Sequence, residues 1–126
     1  MNEEKSSYSY NSDFLLKNGK PWFPVMGELH YSRYPKKLWP EALAKMKAGG
    51  VTVVSSYIFW IHHEEKEGGY DFTGNRDLRG FLHAVQDAGL PVFLRIGPWC
   101  HGEVRNGGLP DWIMEKDYEP RTNDKG

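Results

Sequence analysis

The stretch Pro91-Val-Phe-Leu-Arg-Ile-Gly-Pro-Trp-Cys-His-Gly-Glu-Val-Arg105 decides the fold class. Residues 91–96 read as a short buried strand, with Pro91 tolerable only at its start. The strand runs directly into a Gly/Pro turn that carries Trp99, His101, Glu103 and Arg105. Polar and aromatic side chains crowded onto a loop at the carboxyl end of a buried strand are how α/β enzymes build a ligand site.

The segments before it repeat the same plan. Residues 51–58 are nearly unbroken apolar and β-branched, the pattern of a strand covered on both faces. They lead into Tyr57-Ile-Phe-Trp-Ile-His-His-Glu-Glu65 and a Gly68-Gly69 loop. Residues 23–29 read as an earlier strand ending in Glu28-Leu-His-Tyr-Ser-Arg33. Between these two strands Trp39, Leu43 and Met46 fall at helical spacing, with Pro40 acceptable in the first turn and Gly49-Gly50 ending the helix. A second helix is expected from about Asn75 as N-cap, with Asp77 favourable near its positive end. Its buried stripe is Leu78, Phe81, Leu82 and Val85, and Gly89 stops it. Upstream, Asn18-Gly19 between apolar residues 14–16 and 22–25 signals a hairpin. Residues 1–12 read as a loose polar lead-in to a domain spanning 13–126, residues 111–114 as the start of a further helix, and residues 121–126 as turn-like.

A hairpin followed by β-α-β-α-β demands a parallel sheet with right-handed crossovers. A doubly wound sheet and a (β/α)8 barrel both satisfy that demand. No Gly-x-Gly-x-x-Gly follows any of the strands, and each ends instead in charged and aromatic residues. The pattern therefore favours the first three β/α units of a (β/α)8 TIM barrel, preceded by a short β-hairpin: an α/β fold and an incomplete barrel. Three strands leave an open sheet edge, a template for self-association.

Composition narrows the function. The net charge of −1 supplies no basic field for nucleic acid. No apolar stretch approaches the roughly 18 residues that a membrane span needs. Cys100 is the only cysteine, so no internal disulfide forms and no oxidising compartment is implied. The polar, Ser- and Tyr-rich start has no apolar signal-peptide core. The cytoplasm is the default location, with a periplasmic or secreted one left open if the N-terminus is incomplete. Aromatic residues make up 14% of the chain, which suits a carbohydrate site as well as a core.

Three strand ends are expected to converge. The first brings Glu28, His30, Tyr31 and Arg33, the second Tyr57, Trp60, His62, His63 and Glu64, the third Trp99, His101, Glu103 and Arg105. A glycosidase needs two carboxyl groups flanking the scissile bond, and on this chain alone Glu103 with Glu28 or Glu64 resembles such a pair. Strand-end carboxylates more often bind ligand or brace the fold. His62-His63-Glu64-Glu65 lacks the His-Glu-x-x-His spacing, lies beyond a strand, and is read as a bracing loop with no metal. Cys100 and His101 are neighbours on an extended segment and point to opposite sides, so Cys100 is read as a small buried thiol. Arg33 and Arg105 are placed either to hold carboxylates or to meet ligand.

In these residues the chain closely resembles the N-terminal part of the family 35 glycoside hydrolases, the β-galactosidases of (β/α)8-barrel fold. The matching blocks are Gly27-Glu-Leu-His-Tyr-Ser-Arg-Tyr-Pro35, Trp39 with Lys45-Met-Lys-Ala-Gly-Gly50, Tyr57-Ile-Phe-Trp-Ile-His-His-Glu64, Gly69-Tyr-Asp-Phe72, Asp77-Leu78 and the run from Leu94 to Trp112. The resemblance implies that Tyr57 and the tripeptide His101, Gly102 and Glu103 contact the galactose, with Glu103 binding sugar hydroxyls. It implies no cofactor or metal. It places both catalytic glutamates after the fourth and seventh strands, outside this sequence, so no catalytic residue is assigned here and the chain alone is expected to be inactive. Where animal and plant members carry Cys-Ala-Glu-Trp, this chain has His101-Gly102-Glu103-Val104, and Glu28 replaces a small residue. Those changes resemble a bacterial branch. The alternatives are a carbohydrate-binding remnant, a fragment completed by a separate partner, or a related barrel glycosidase of other sugar specificity.

Overall fold

The computed structural model describes residues 6–116. The turn expected at 121–126 lies outside them. Two small sheets are present. The first is antiparallel: β1 (Tyr8–Tyr10), β2 (Leu15–Lys17) and β3 (Lys20–Pro21), in that order. The β2–β3 turn is Asn18-Gly19, with φ of 51° and 74°, the positive values that a two-residue type I′ hairpin requires. Tyr8–Tyr10, read from sequence as part of a loose lead-in, is instead paired to β2, Tyr8 opposite Lys17 and Tyr10 opposite Leu15. Only three residues long and fully exposed, it carries no hydrophobic alternation that would have announced it.

The second sheet is parallel, in the order β4 (Met26–Glu28), β5 (Val53–Tyr57), β6 (Val92–Arg95). Val54 is opposite Gly27 and Val92; Tyr57 is opposite Arg95. Helix α1 (Trp39–Ala48) connects β4 to β5, and α3 (Leu78–Asp87) lies between β5 and β6. The β-α-β-α-β alternation is therefore present as a mixed α/β arrangement, with no closed barrel among the described residues.

The helices cover one face of this sheet. Trp39 and Leu43 of α1 and Phe81 and Val85 of α3 pack with Tyr31, Val54 and Leu90 into one apolar cluster. Gly27 is what lets α1 approach β4, because a Cβ there would lie 2.7 Å from both Met46 and Val51. Residues alternating with Val54 point to the opposite face, and β5 delivers Tyr57 there, beside Glu28 and Arg95 of its neighbours.

Two local expectations are corrected. The N-cap of α3 is Asp77, whose side chain accepts from Gly80 N–H at 2.8 Å; Asn75 instead accepts from the Lys36 N–H at 3.0 Å. The segment after β5 is not wholly a loop, since Trp60–His63 forms a one-turn helix, α2. A final turn, α4 (Asp111–Met114), occupies the expected residues. No helix among the described residues is long and apolar enough to cross a membrane.

Candidate functional site

The end of β5 is the centre of the site. Tyr57 is buried, and its ring is flanked from both neighbouring strands. On the β4 side the His30 imidazole stacks at 5.5 Å with an interplanar angle of 19°. On the β6 side the Arg95 guanidinium lies 3.7 Å from the ring centroid. Tyr57 N–H donates to His30 Nδ1 at 3.4 Å, so that nitrogen is the acceptor and Nε2 carries the proton. Nε2 faces Glu28 Oε1 at 3.2 Å, and Glu28 also pairs with Arg95. Burial lowers the His30 pKa, the Arg33 charge lowers it further, and Glu103 opposes both. Glu28 is thus spent on tying together the two groups that flank Tyr57.

The loop after β6 closes over this group. His101 N–H donates to the Tyr57 hydroxyl at 3.2 Å, joining the ends of β5 and β6. Cys100 N–H donates to the Gly107 carbonyl at 2.8 Å, folding the loop back on itself. Asn106 and Gly107, with φ of 53° and 61°, make that reversal, and the Trp99 ring lies against Gly107. Gly102 rests on the rings of Phe59 and Tyr57. Glu103 is exposed, and its carbonyl accepts from Arg33 Nη2 at 2.5 Å. The Arg33 guanidinium in turn lies over the Phe59 ring, 4.8 Å from its centroid.

A cavity of about 700 Å³ opens beside Glu103, lined among others by Arg33, His62, Lys66, Arg105 and Asp111. Charged rims with apolar floors suit polar ligands that need oriented hydrogen bonds. Arg105 is committed to Asp111 at 2.6 Å, and Arg33 holds a main-chain carbonyl. Arg105 thus holds a carboxylate of the cavity wall, one of the two roles the sequence allowed, whereas Arg33 bonds to the main chain.

Glu64 does not join Glu103. It is buried, and its carboxylate accepts from Trp60 Nε1 at 2.5 Å and from Gly68 N–H at 2.8 Å. Those bonds, the Trp60 one foremost, hold its carboxyl below the usual range. Trp112 Nε1 donates to its carbonyl at 3.0 Å, so Glu64 braces three segments at once. His63 is also structural: its Nδ1 lies 2.9 Å from the Asp71 carbonyl and its Nε2 2.6 Å from the Tyr31 hydroxyl. His62 is half-buried, its pKa lowered by burial and then by Arg76. Among the described residues no three His, Cys, Asp or Glu side chains are grouped to hold a metal ion. Burial pushes the Cys100 thiol up, away from the thiolate a nucleophile needs.

The four residues singled out from sequence thus lie in one place: Tyr57 beneath, His101 bonded to it, Gly102 on its ring, Glu103 at the cavity. Sequence reasoning passed over Phe59 and Arg95 as site residues. The signal for Arg95 was available, as an arginine set inside an otherwise apolar strand.

Comparison with known proteins bears on the chain as a whole. The family model described as Glycosyl hydrolases family 35 matches residues 14–126. A mouse (Mus musculus) protein, "Beta-galactosidase", is 40% identical over 107 residues, covering 85% of this chain and 16% of the mouse protein. The human (Homo sapiens) "Beta-galactosidase" is 40% identical over 108 residues, 86% of this chain and 16% of the human protein. "Beta-galactosidase 14" of Arabidopsis thaliana is 37% identical over 124 residues, 98% of this chain and 14% of the plant protein. The chain therefore spans about one-sixth to one-seventh of the length of these relatives.

Proposed function

The chain belongs to glycosyl hydrolase family 35, and from that premise we propose that it forms part of a retaining exo-β-galactosidase acting on terminal β-galactosyl residues. In this reading residues 13–126 are the first three β/α units of a (β/α)8 catalytic domain. Tyr57, His101, Gly102 and Glu103 line the subsite for the terminal sugar. The observation that carries the reading is the hydrogen bond from His101 N–H to the Tyr57 hydroxyl, which joins two strand ends two residues from Glu103.

The chemistry of each group follows from what its neighbours leave free. The Tyr57 oxygen already accepts from His101, so its own proton is directed to a sugar oxygen. An ionised Glu103 carboxylate accepts from sugar hydroxyls and gains strength as positive charge develops on the ring in an oxocarbenium-like transition state. The acid and the nucleophile of the double displacement come from later segments. The His101-Gly102-Glu103-Val104 sequence, at the sugar-contacting loop itself, is the basis for assigning a bacterial-like branch, although the relatives named above are animal and plant proteins.

The test is galactose titration of the 126-residue chain, followed by tryptophan fluorescence. The expected result is a saturable change that Glu103→Gln weakens at least tenfold. No saturable change with galactose, or a stronger response to glucose or N-acetylglucosamine, would overturn the galactose subsite. The same preparation should not cleave an aryl β-galactoside.

A second reading rests on the parallel sheet. Its β4 and β6 each pair on one side only among the described residues, and helices cover one face. Such a sheet is suited to completion by a partner segment or by another copy.

A further inference from the structure

We propose that Arg33 is the positioning residue of the loop that carries Glu103, fixing where its side chain leaves the backbone without touching the carboxylate. The inference rests on the terminal-sugar reading above for its meaning in function, but not for its geometry.

The loop 101–104 has little structure of its own. Among the described residues, its backbone bonds are His101 N–H to the Tyr57 hydroxyl, Val104 N–H to the Gly102 carbonyl at 2.6 Å, a Gly107 N–H to the Val104 carbonyl at 3.2 Å, and the Glu103 carbonyl to Arg33. Only two of these reach outside the loop and its return. Tyr57 holds one end from below, and Arg33 holds the Glu103 peptide from an element 70 residues away. The Glu103 carbonyl and side chain share one Cα, so holding the carbonyl holds the backbone of that residue and with it the direction of the Cα–Cβ bond from which the carboxylate extends.

Arg33 is built for this. It ends a 3-10 turn, Tyr31–Arg33, whose Tyr31 is fully buried and bonded to His63. The turn is locked again by Trp39 Nε1 donating to the Tyr31 carbonyl at 3.3 Å and to the Tyr34 carbonyl at 3.0 Å. The guanidinium lies over the ring of Phe59, itself fully buried, while its Nη2 donates to the carbonyl. A planar fork lying over an aromatic ring can meet the ring and the carbonyl at once, which a lysine ammonium on a flexible stem does less well. The bond uses the main chain, so the Glu103 carboxylate is not consumed by it.

The experiment is amide hydrogen exchange by NMR on the full 126-residue chain, comparing wild type with Arg33→Met, Arg33→Lys and Phe59→Leu, alongside galactose titration. Exchange at His101 and Val104 should rise at least tenfold in Arg33→Met, with Leu43, Val54 and Phe81 amides unchanged. Arg33→Lys should recover little of that protection, and Phe59→Leu should lose part of it. Galactose affinity should fall at least fivefold in Arg33→Met. Unchanged exchange at 101 and 104, full rescue by lysine, or loss of protection throughout the core would each overturn the positioning role. If the loop loosens as expected but wild-type chain shows no galactose binding, the positioning role stands and the sugar-subsite reading falls.

Discussion

The Tyr57 hydroxyl accepts a hydrogen bond from the His101 backbone N–H at 3.2 Å, and this is the contact that fastens the loop after β6 to the end of β5. Tyr57→Phe keeps the ring between His30 and Arg95 but strands the amide. The expected cost is about 1 kcal/mol of stability in urea unfolding, the net worth of such a bond. On the proposed subsite, galactose affinity should fall by about tenfold or more, since the variant also loses the hydroxyl donor assigned there to the sugar. Wild-type affinity in Tyr57→Phe would show that the hydroxyl serves the loop alone.

Two glycines of the same loop should respond in opposite ways to alanine. A Cβ at Gly102 would lie 3.6 and 3.7 Å from Phe59 ring atoms, ordinary contact distance, and its φ is not left-handed. Gly102→Ala is expected to leave stability unchanged or raise it by up to about 1 kcal/mol through the unfolded chain. A Cβ at Gly107 would lie 2.1 Å from the Trp99 ring, at φ of +61°. Gly107→Ala must expel Trp99, shifting its fluorescence and costing roughly 2 kcal/mol or more. Melting curves and emission spectra of the pair decide the matter.

In the buried Tyr31–His63 pair the direction of both hydrogen bonds is fixed by one acceptor. The Asp71 carbonyl can only accept, so His63 Nδ1 donates to it, and Nε2 must accept the Tyr31 proton. Nitrogen-15 NMR should show the Nδ1–H tautomer at neutral pH. Tyr31→Phe leaves Nε2 buried without its donor and should cost roughly 1–3 kcal/mol. A neutral substitution would mean that the bond contributes nothing.

How legible was this from sequence? The three parallel strands and two long helices were, because β-branched runs, the Trp39/Leu43 and Phe81/Val85 spacings and the Gly stops all reinforce one another. Single-turn features were not. Four residues at Trp60–His63 are too few for any period to show, and both Asn75 and Asp77 are good N-caps, separated only by the tertiary bond from Lys36. The clustering of Tyr57, His101, Gly102 and Glu103 followed from the parallel topology and from the resemblance. The separate duties of Glu28, Glu64 and Glu103 did not, because they depend on which donors the fold brings to each: Arg95 and His30, Trp60 and Gly68, or the open cavity.

Asp71 should govern part of the acid sensitivity. Bonds from Thr73, by side chain and backbone, and from Arg76 hold its carboxyl at about 2, against an ordinary 3.8. The native state therefore binds this proton less readily than the unfolded chain. The stabilisation is fully present above pH 4 and is lost as pH falls from about 4 toward 2. Asp71→Asn should lower stability at pH 7 and flatten the dependence across that window. An unchanged slope in the variant's urea midpoints between pH 2 and 4 would contradict the assignment.

The open face of the parallel sheet bears on the proposal that the sheet is completed by another copy. Val92 packs toward the helices, so its neighbour Phe93 faces the other way and is 53% exposed; across β5, Met26 on the same face is 49% exposed. Helices cover only the opposite face, and β6 has no strand on its outer side among the described residues. Apolar side chains beside an unpaired edge favour association between copies. Sedimentation of the 126-residue chain should therefore reveal species larger than 14.5 kDa that grow with concentration. Phe93→Lys places a charge on the face without touching the helix side, and should shift the chain toward monomer while leaving its melting temperature within a few degrees. A wild-type chain that stays monomeric at high concentration would show that this face needs no cover.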